Sequence, residues 1–362
     1  MGVAVVSLFC PTPFAFAVDG WASMNGGTTG GEGGTVVTVT NATQFLDYIG
    51  RSGKYVIQVD GNISLSGMNN VASDKTIIGV GTNGQISGGG LNLSSVSNII
   101  IRNLRFEGSS DDAINVQNSS TNIWIVHCSF GSCSDGQVDI KRGSDYITVS
   151  WCHFQNHDHV CLLGHDDDNG GQDIGHLRVT YHHNYFDGTN GRHPRVRFSA
   201  LCHVYNNYYV NNSSYGVAST CDAEVLVEGN YFNGCDAPTL VGYGSSPDGD
   251  LVERDNIFID YDTTPETRGT VPEPPYSYTM DDGADVPDIV QAYAGAGTSY
   301  PPHWYYTLYG DFDIDGLVDT NDLRTFADYW VDTADISDAD YFDDGIVNAR
   351  EFALFAENWM TP

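Results

Sequence analysis

Basic residues are scarce: Lys and Arg occupy 15 of 362 positions against 47 Asp plus Glu, a formal net charge of −32. Nucleic acids and anionic membrane surfaces are bound through clustered cations, so the composition excludes both as partners. Long apolar runs are lacking as well; none approaches the roughly eighteen residues a membrane span requires. Cysteine is sparse, at 8 residues. The apolar stretch from Val3 to Phe16, with the small-x-small pattern Ala15-Phe16-Ala17, predicts an export signal over residues 1–17 and hence a secreted, extracellular protein. Its removal takes Cys10 and leaves an odd number of cysteines, which cannot form a complete disulfide framework. Glycine (41 residues), acidic residues and aromatics (12%) are present in quantity, enough for a core and for many turns. Such an acidic chain suits direct handling of cations, or of an anionic substrate through bound cations. The length predicts one large domain plus a small module.

The middle of the chain repeats itself. Asn103 in IIIRNLRF, Cys128 in IWIVHCSF, Cys152 in ITVSWCHF, Asn184 in RVTYHHNYF, Asn207 in CHVYNNYY, Asn230 in VLVEGNYF and Asn256 in LVERDNIF align at spacings of 25, 24, 32, 23, 23 and 26 residues. Each unit has a short alternating run, a polar or small residue, an aromatic two places later in six of the seven, and a polar loop. Short strands with recurring turn residues and no helix-length pattern between them predict one chain coiling into stacked rungs. The fold class is therefore all-β, a right-handed parallel β-helix. Stacked Asn side chains would bond from rung to rung at a bend. Cys128 and Cys152, at this position in adjacent rungs, could form a bridge or a pair of stacked thiols. Asn41 to Ile49 predicts a short cap helix with Phe45, Leu46 and Ile49 on its buried face.

Three aspartates, Asp112, Asp135 and Asp139, fall at the start of two successive rung segments, DAINV and DGQVDIKR. Carboxylates on neighbouring rungs can converge on a hard divalent cation. Among so few cations, three arginines within Arg192-His193-Pro194-Arg195-Val196-Arg197 also stand out.

With WASMNGGTTGGEGG near the start, DDAINV, IWIVHCSF, DGQVDIKRGSDYITVSWCHF and GRHPRVRF followed by HVYNNYY, the stretch from about Gly20 to Gly297 resembles the calcium-dependent pectate lyases. The resemblance implies β-elimination on polygalacturonate to 4,5-unsaturated products, with calcium (Ca2+) on Asp112, Asp135 and Asp139. It implies a catalytic Arg192 and a substrate-binding Arg197. Lys141, the nearby lysine in DIKRG, is expected to contact substrate, and Arg195 to be a structural arginine paired with surface acids. The family's first acidic ligand falls at Ser110, which carries no charge, with Asp111 beside it. His159 stands where the family has a lysine and is expected to contact substrate. His127, His182 and His183 lie inside rungs and are expected to pack. Rival readings are a polygalacturonase-type hydrolase, which would use paired carboxylates, a pectin lyase, and a non-catalytic carbohydrate-binding β-helix.

The expected domains are 18–298 for the β-helix, 299–308 for a linker, and 309–362 for a separate module. From Tyr309 onward there are 14 acidic and 2 basic residues. Asp311, Asp313, Asp315, Asp319 and Asp322, with Gly316, occupy EF-hand-type calcium loop positions, followed by LRTFADYW, where Leu323, Phe326, Ala327 and Trp330 share a side. The pattern returns at Asp340, Asp344, Asn348 and Glu351, with Phe342 replacing one oxygen ligand. This duplicated loop and helix resembles a dockerin and implies a cohesin-type partner. The chain is otherwise expected to be a monomer whose ligand is polygalacturonate.

Overall fold

The structure, a computed structural model, describes residues 18–298 and, in the tail, 320–329, 352, 353 and 356. The chain divides into two compact units, one holding all described residues from 18 to 298 and the other the tail. The large unit is an all-β parallel solenoid. One sheet of ten strands runs from Thr35–Val39 to Asp250–Arg254, each strand pairing in parallel with the equivalent strand of the next rung. The other sheet has 15 strands and is two faces joined at one long strand, Gln85–Ser94. The first half of that strand pairs with Arg105–Glu107, and its second half pairs with Ile114–Gln117. Among the described residues no helix is long and apolar enough to cross a membrane.

The bends explain the repeat. After each of the last seven strands of the ten-stranded sheet one residue takes the left-handed conformation: Asn103, His127, Trp151, His183, Asn206, Gly229 and Asp255, with φ between 47° and 60°. Only one of these is glycine, so the backbone strain must be offset locally. The next residue supplies the compensation. Asn184, Asn207 and Asn230 are fully buried. The Oδ1 of each accepts the peptide N–H of the same position in the preceding rung, at 2.9–3.0 Å. Asn207 Nδ2 also donates to the carbonyls of Tyr181 and Tyr205 and to Asn230 Oδ1. These bonds replace the strand ladder where the chain turns. Two positions earlier in the stack, Cys128 and Cys152 are buried free thiols that donate to the carbonyls of Val126 and Ser150; the bridge is not formed.

Inside, Phe106, Phe130, Phe154, Phe186, Tyr209, Phe232 and Phe258 form one continuous stack with ring centroids 4.1–5.2 Å apart. This stack corrects the predicted alignment of the first unit. Arg105 pairs with Ser129, so Leu104, not Asn103, shares the register of Cys128. Asn103 is the bend residue instead, its Nδ2 donating to the carbonyls of Gly79 and Gly81. With Leu104 in place, all seven units carry the aromatic two positions on.

Asn207→Ala should cost about 3–5 kcal/mol, because several fully buried donors and acceptors lose their partner at once. Asn256→Ala, at the half-exposed end of the same row, should cost less than half as much. Denaturant unfolding of both variants checks this, and equal losses would show that the row does not hold the bends.

The cap helix forms over Ala42–Gly50, with Asn41 Oδ1 accepting the Gln44 N–H. Phe45 and Ile49 are buried, but Leu46 is 41% exposed. One residue advances a helix by about 100°, so Leu46 turns outward, while Ala42 and Tyr48 complete the buried stripe with Phe45 and Ile49. The glycine-rich N-terminal segment lies across the outside of the ten-stranded sheet, where Trp21 and Ala22 N–H groups donate to Thr180 and Thr148 hydroxyls. A Cβ on Gly20 would sit 2.7 Å from both hydroxyl oxygens, which is why that position is glycine.

In the tail, a helix spans Thr320–Tyr329. Phe326 is buried with its ring 5.9 Å from that of Phe352, and Leu323 is half-buried. Ala327, expected on the same side, is exposed, since one further residue rotates it away from Phe326. Asp311, Asp313, Asp315 and Asp319, then Trp330, Asp340, Asp344, Asn348 and Glu351, lie outside the described residues, as does the side chain of Asp322. The predicted export signal and linker also lie outside them.

Candidate active site

The predicted site residues converge on the face that carries Ile114–Gln117, Val138–Ile140, Cys161–Leu163 and Arg195–Arg197, four strands in adjacent rungs. In the three-residue strand Val138–Ile140 the two flanking side chains point into the core, so Asp139 must project outward. It stands beside Asn115 on one rung and Leu162 on the other. Asp112 lies in the turn before its strand, where its Oδ1 accepts the Gly136 N–H at 2.9 Å.

Lys141 Nζ is 3.5 Å from Asp112 Oδ2 and 3.8 Å from Asp139 Oδ2. One ammonium thus serves two buried carboxylates. Burial, then the neighbouring Asp112, pushes Asp139 up to about 7, with Lys141 and Arg192 opposing. Burial likewise raises Asp112, against Lys141 and the Gly136 N–H. Asp139 Oδ1 is buried without a hydrogen-bond partner.

Asp135 is exposed and joins Asp112 and Asp111, with one carboxylate oxygen from each within 4.8 Å of the others. This brings Asp111 into the cluster, where sequence reasoning stopped at Asp112, Asp135 and Asp139. The vacant charge at Ser110 was the available signal, because the adjacent carboxylate can swing into the same corner. His157 braces this corner: its Nε2 is 2.6 Å from the Asp135 carbonyl oxygen and 3.1 Å from Cys133 Sγ. The exposed His159 places Nδ1 3.8 Å from Asp135 Oδ1. Burial, then Arg192, lowers its pKa, so the imidazole is neutral above the ordinary histidine range. Asp139 falls outside this cluster of three and is linked to it through the Lys141 ammonium it shares with Asp112. The all-oxygen chemistry of the cluster, a single nearby ammonium and the orphaned Asp139 Oδ1 beside it fit a hard divalent cation such as calcium.

The three arginines are held differently. Arg197 is 7% exposed; its Nε donates to Asp167 Oδ1 at 2.6 Å and a terminal nitrogen donates to the Gly164 carbonyl at 2.9 Å. Arg195 donates to Ser246 Oγ at 2.7 Å and lies 4.9 Å from the centre of the Tyr243 ring. Ser246 in turn donates to Asp167, so both guanidiniums share one anchor. Asp167 was not legible beforehand, since nothing in HDDDN marks which of three aspartates turns toward a strand two loops away. Arg192, by contrast, has no ion-pair partner among the described residues. Its backbone is left-handed (φ 65°) and its carbonyl accepts the Cys161 N–H at 2.7 Å. The rung of Arg192 meets that of His159 through a parallel bridge between His159 and Gly191. A Cβ on Gly191 would lie 2.9 Å from the Tyr215 ring, so glycine lets the turn sit close.

The predicted packing role of three histidines also has a structural counterpart. His182 and His183 are buried, with Nδ1 atoms 2.7 Å apart, and pair with Asp19 and Asp281 on the segments crossing the solenoid. The buried His127 stacks on Trp151.

A family model described as pectate lyase matches residues 3–298. The chain belongs to the pectate lyase family. It is 41% identical over 327 residues to a pectate trisaccharide-lyase of Thermotoga maritima, covering 79% of this chain and 88% of the relative. Identity to a pectate trisaccharide-lyase of Bacillus licheniformis is 35% over 305 residues, with the same coverage. A pectate lyase of a Bacillus species, solved in complex with trigalacturonate, superposes with a TM-score of 0.70 at 33% identity, covering 78% of this chain and 99% of that one. The chain is accordingly a lyase, and the solenoid is the pectate lyase β-helix.

Proposed function

We propose that this pectate lyase cleaves α-1,4-polygalacturonate by β-elimination, with Arg192 as the base and Asp112, Asp135 and Asp139 holding calcium, joined by Asp111. One observation carries the reading: among the described residues Arg192 is the one arginine of the RHPRVR cluster whose guanidinium has no side-chain partner, and it stands beside a carboxylate cluster short of cations. Arg192 takes the C5 proton of a galacturonate residue, the C5–H electron pair forms the C4–C5 double bond, and O4 leaves and is protonated. Calcium, when bound, withdraws charge from the uronate carboxylate and acidifies that proton. Lys141 lies close enough to its aspartates to hold the same carboxylate, with His159 and Arg197 as further contacts. Arg197 is braced by Asp167, which fixes the direction of its guanidinium. A guanidinium is a poor base until neighbouring cations and high pH favour its neutral form, so activity is expected to peak in alkali. Mass analysis of the products tests the chemistry. Elimination leaves unsaturated ends, hydrolysis leaves saturated ones, and a binding module leaves the polymer intact.

His159→Lys should lower the KM for polygalacturonate by roughly two- to five-fold, the scale of a partly exposed ion pair. It should also move the pH optimum downward, because a cation is added beside Arg192. Identical pH–rate profiles for wild type, His159→Lys and His159→Ala would remove His159 from the site.

The reading extends to secretion, supported by the apolar segment ending in Ala15-Phe16-Ala17, and to the tail. Asp311, Asp313, Asp315, Asp319 and Asp322 would hold one calcium; Asp340, Asp344, Asn348 and Glu351 would form a weaker second site. A dockerin-like module binding a cohesin-type partner is supported by the repeat and by the helix at Thr320–Tyr329 after the first loop. Chelator-reversible capture on a cohesin panel, lost on truncation after Thr298, tests it; no capture by any member would refute it.

A further inference from the structure

The row that carries Asp139 continues in both directions along the stack, and its two halves differ in charge. Beyond Asp139 on one side come Leu162 and then Arg195, with Lys141 and Arg197 in the adjoining outward row. On the other side Asp139 is followed rung by rung by Asn115, Asn92 and Asn70. The strands supplying this second half, Asn62–Asn70, Gln85–Ser94 and Ile114–Gln117, contain no Lys, Arg, Asp or Glu. No basic residue occurs anywhere between Arg105 and Lys141.

The amides are linked to one another. Asn92 Nδ2 donates to Asn70 Oδ1 at 2.6 Å, and Asn92 Oδ1 accepts from Asn115 Nδ2 and Gln117 Nε2, each at 3.0 Å. Unlike the asparagines at the bends, which also bond to the backbone, these bond side chain to side chain alone and replace no strand ladder. Asn115 is 7% exposed, yet its Oδ1 has no hydrogen-bond partner beside the equally orphaned Asp139 Oδ1. Each primary amide has two N–H groups, so a second donor remains beyond the one used in the chain.

Resting on the lyase reading above, we infer that the half of this face lined by Asn70, Asn92, Asn115 and Gln117 accepts methyl-esterified galacturonate residues, so that a free carboxylate is demanded only at the charged half. Parallel strands repeat about every 4.8 Å, so a polymer lying along this row meets one rung after another. A free uronate over Asn70 and Asn92 meets no cation on the strands that supply this half, and its loss of hydration goes uncompensated. The methyl ester is uncharged, and its carbonyl and the ring hydroxyls can accept the spare amide N–H groups.

The test is to digest polygalacturonate and randomly methyl-esterified pectin with the full chain at saturating calcium and to sequence the unsaturated products by mass spectrometry. Esters should be retained within one or two residues of the cut on one side and excluded on the other. Exclusion from both sides, with polygalacturonate still cleaved to unsaturated product, overturns the inference and leaves the lyase reading standing. No unsaturated product from either polymer overturns both. Gln117→Lys keeps a donor toward Asn92 Oδ1 and adds a charge. It should raise the ratio of kcat/KM on polygalacturonate to that on esterified pectin by roughly three- to five-fold. An unchanged ratio also overturns the inference.

Discussion

Arg192→Lys is expected to lower kcat on polygalacturonate by roughly 10²- to 10⁴-fold, the usual contribution of a positioned base, with KM little changed. Lysine keeps the positive charge, so the electrostatic attraction for the polyanion survives. The planar guanidinium and its reach do not. The left-handed backbone at Arg192 and its carbonyl bond to Cys161 do not depend on the side chain, so the turn should persist. Arg195→Lys is the informative comparison, because that guanidinium is already engaged by Ser246 and Tyr243. Its loss should affect turnover far less. Equal effects at the two positions would mean that the unpaired state of Arg192 has no bearing on the chemistry. Steady-state kinetics on purified variants with normal circular dichroism decide the point.

Asp139→Asn is expected to cost on the order of 10²-fold in activity at micromolar calcium, partly recovered when calcium is raised. The estimate starts from the ten- to hundred-fold cost of losing even an outer partner of a metal site. The same variant should be more stable than wild type once chelator is present. The folded-state pKa of Asp139 is raised to about 7, so its ionisation weakens the metal-free fold progressively above the ordinary carboxylate pKa, and the penalty is complete above pH 7. Asn removes that penalty. A rise in Tm at pH 8 in chelator, together with lost activity in calcium, would identify a carboxylate kept for function at the expense of stability. A fall in Tm would make Asp139 a structural residue.

The rung periodicity was legible because each turn demands the same things: a short strand, a left-handed residue, an amide or small residue, and an aromatic. The slip at Asn103 shows the limit of that reading. Asparagine is suited both to the left-handed bend and to the ladder, so residue type alone could not separate the two positions. The aromatic two places on could, and it was the one mismatch among the seven units. That Asp112 and Asp135 come together was legible through their place before successive strands, whereas Asp139, in mid-strand, meets them only through Lys141 and Asp112. Asp111 was not legible, since the direction a neighbouring loop carboxylate takes is set by packing. The partners Asp167 and Ser246 arrive from distant loops, and the uncharged row of Asn70, Asn92 and Asn115 is visible only when three rungs are laid side by side. Leu46 and Ala327 failed for one reason: a stripe about 100° wide is easily assigned one residue too far.

Elimination assisted by a hard cation among the carboxylates is the central proposal for this site. The most direct measurement follows the ultraviolet absorbance of the unsaturated product with polygalacturonate as the full chain is treated with chelator and then supplied with calcium. Product formation should stop with chelator and return on calcium addition, and in Arg192→Lys it should return barely or not at all. Undiminished unsaturated product in chelator, or reducing ends appearing without the double bond, would contradict it.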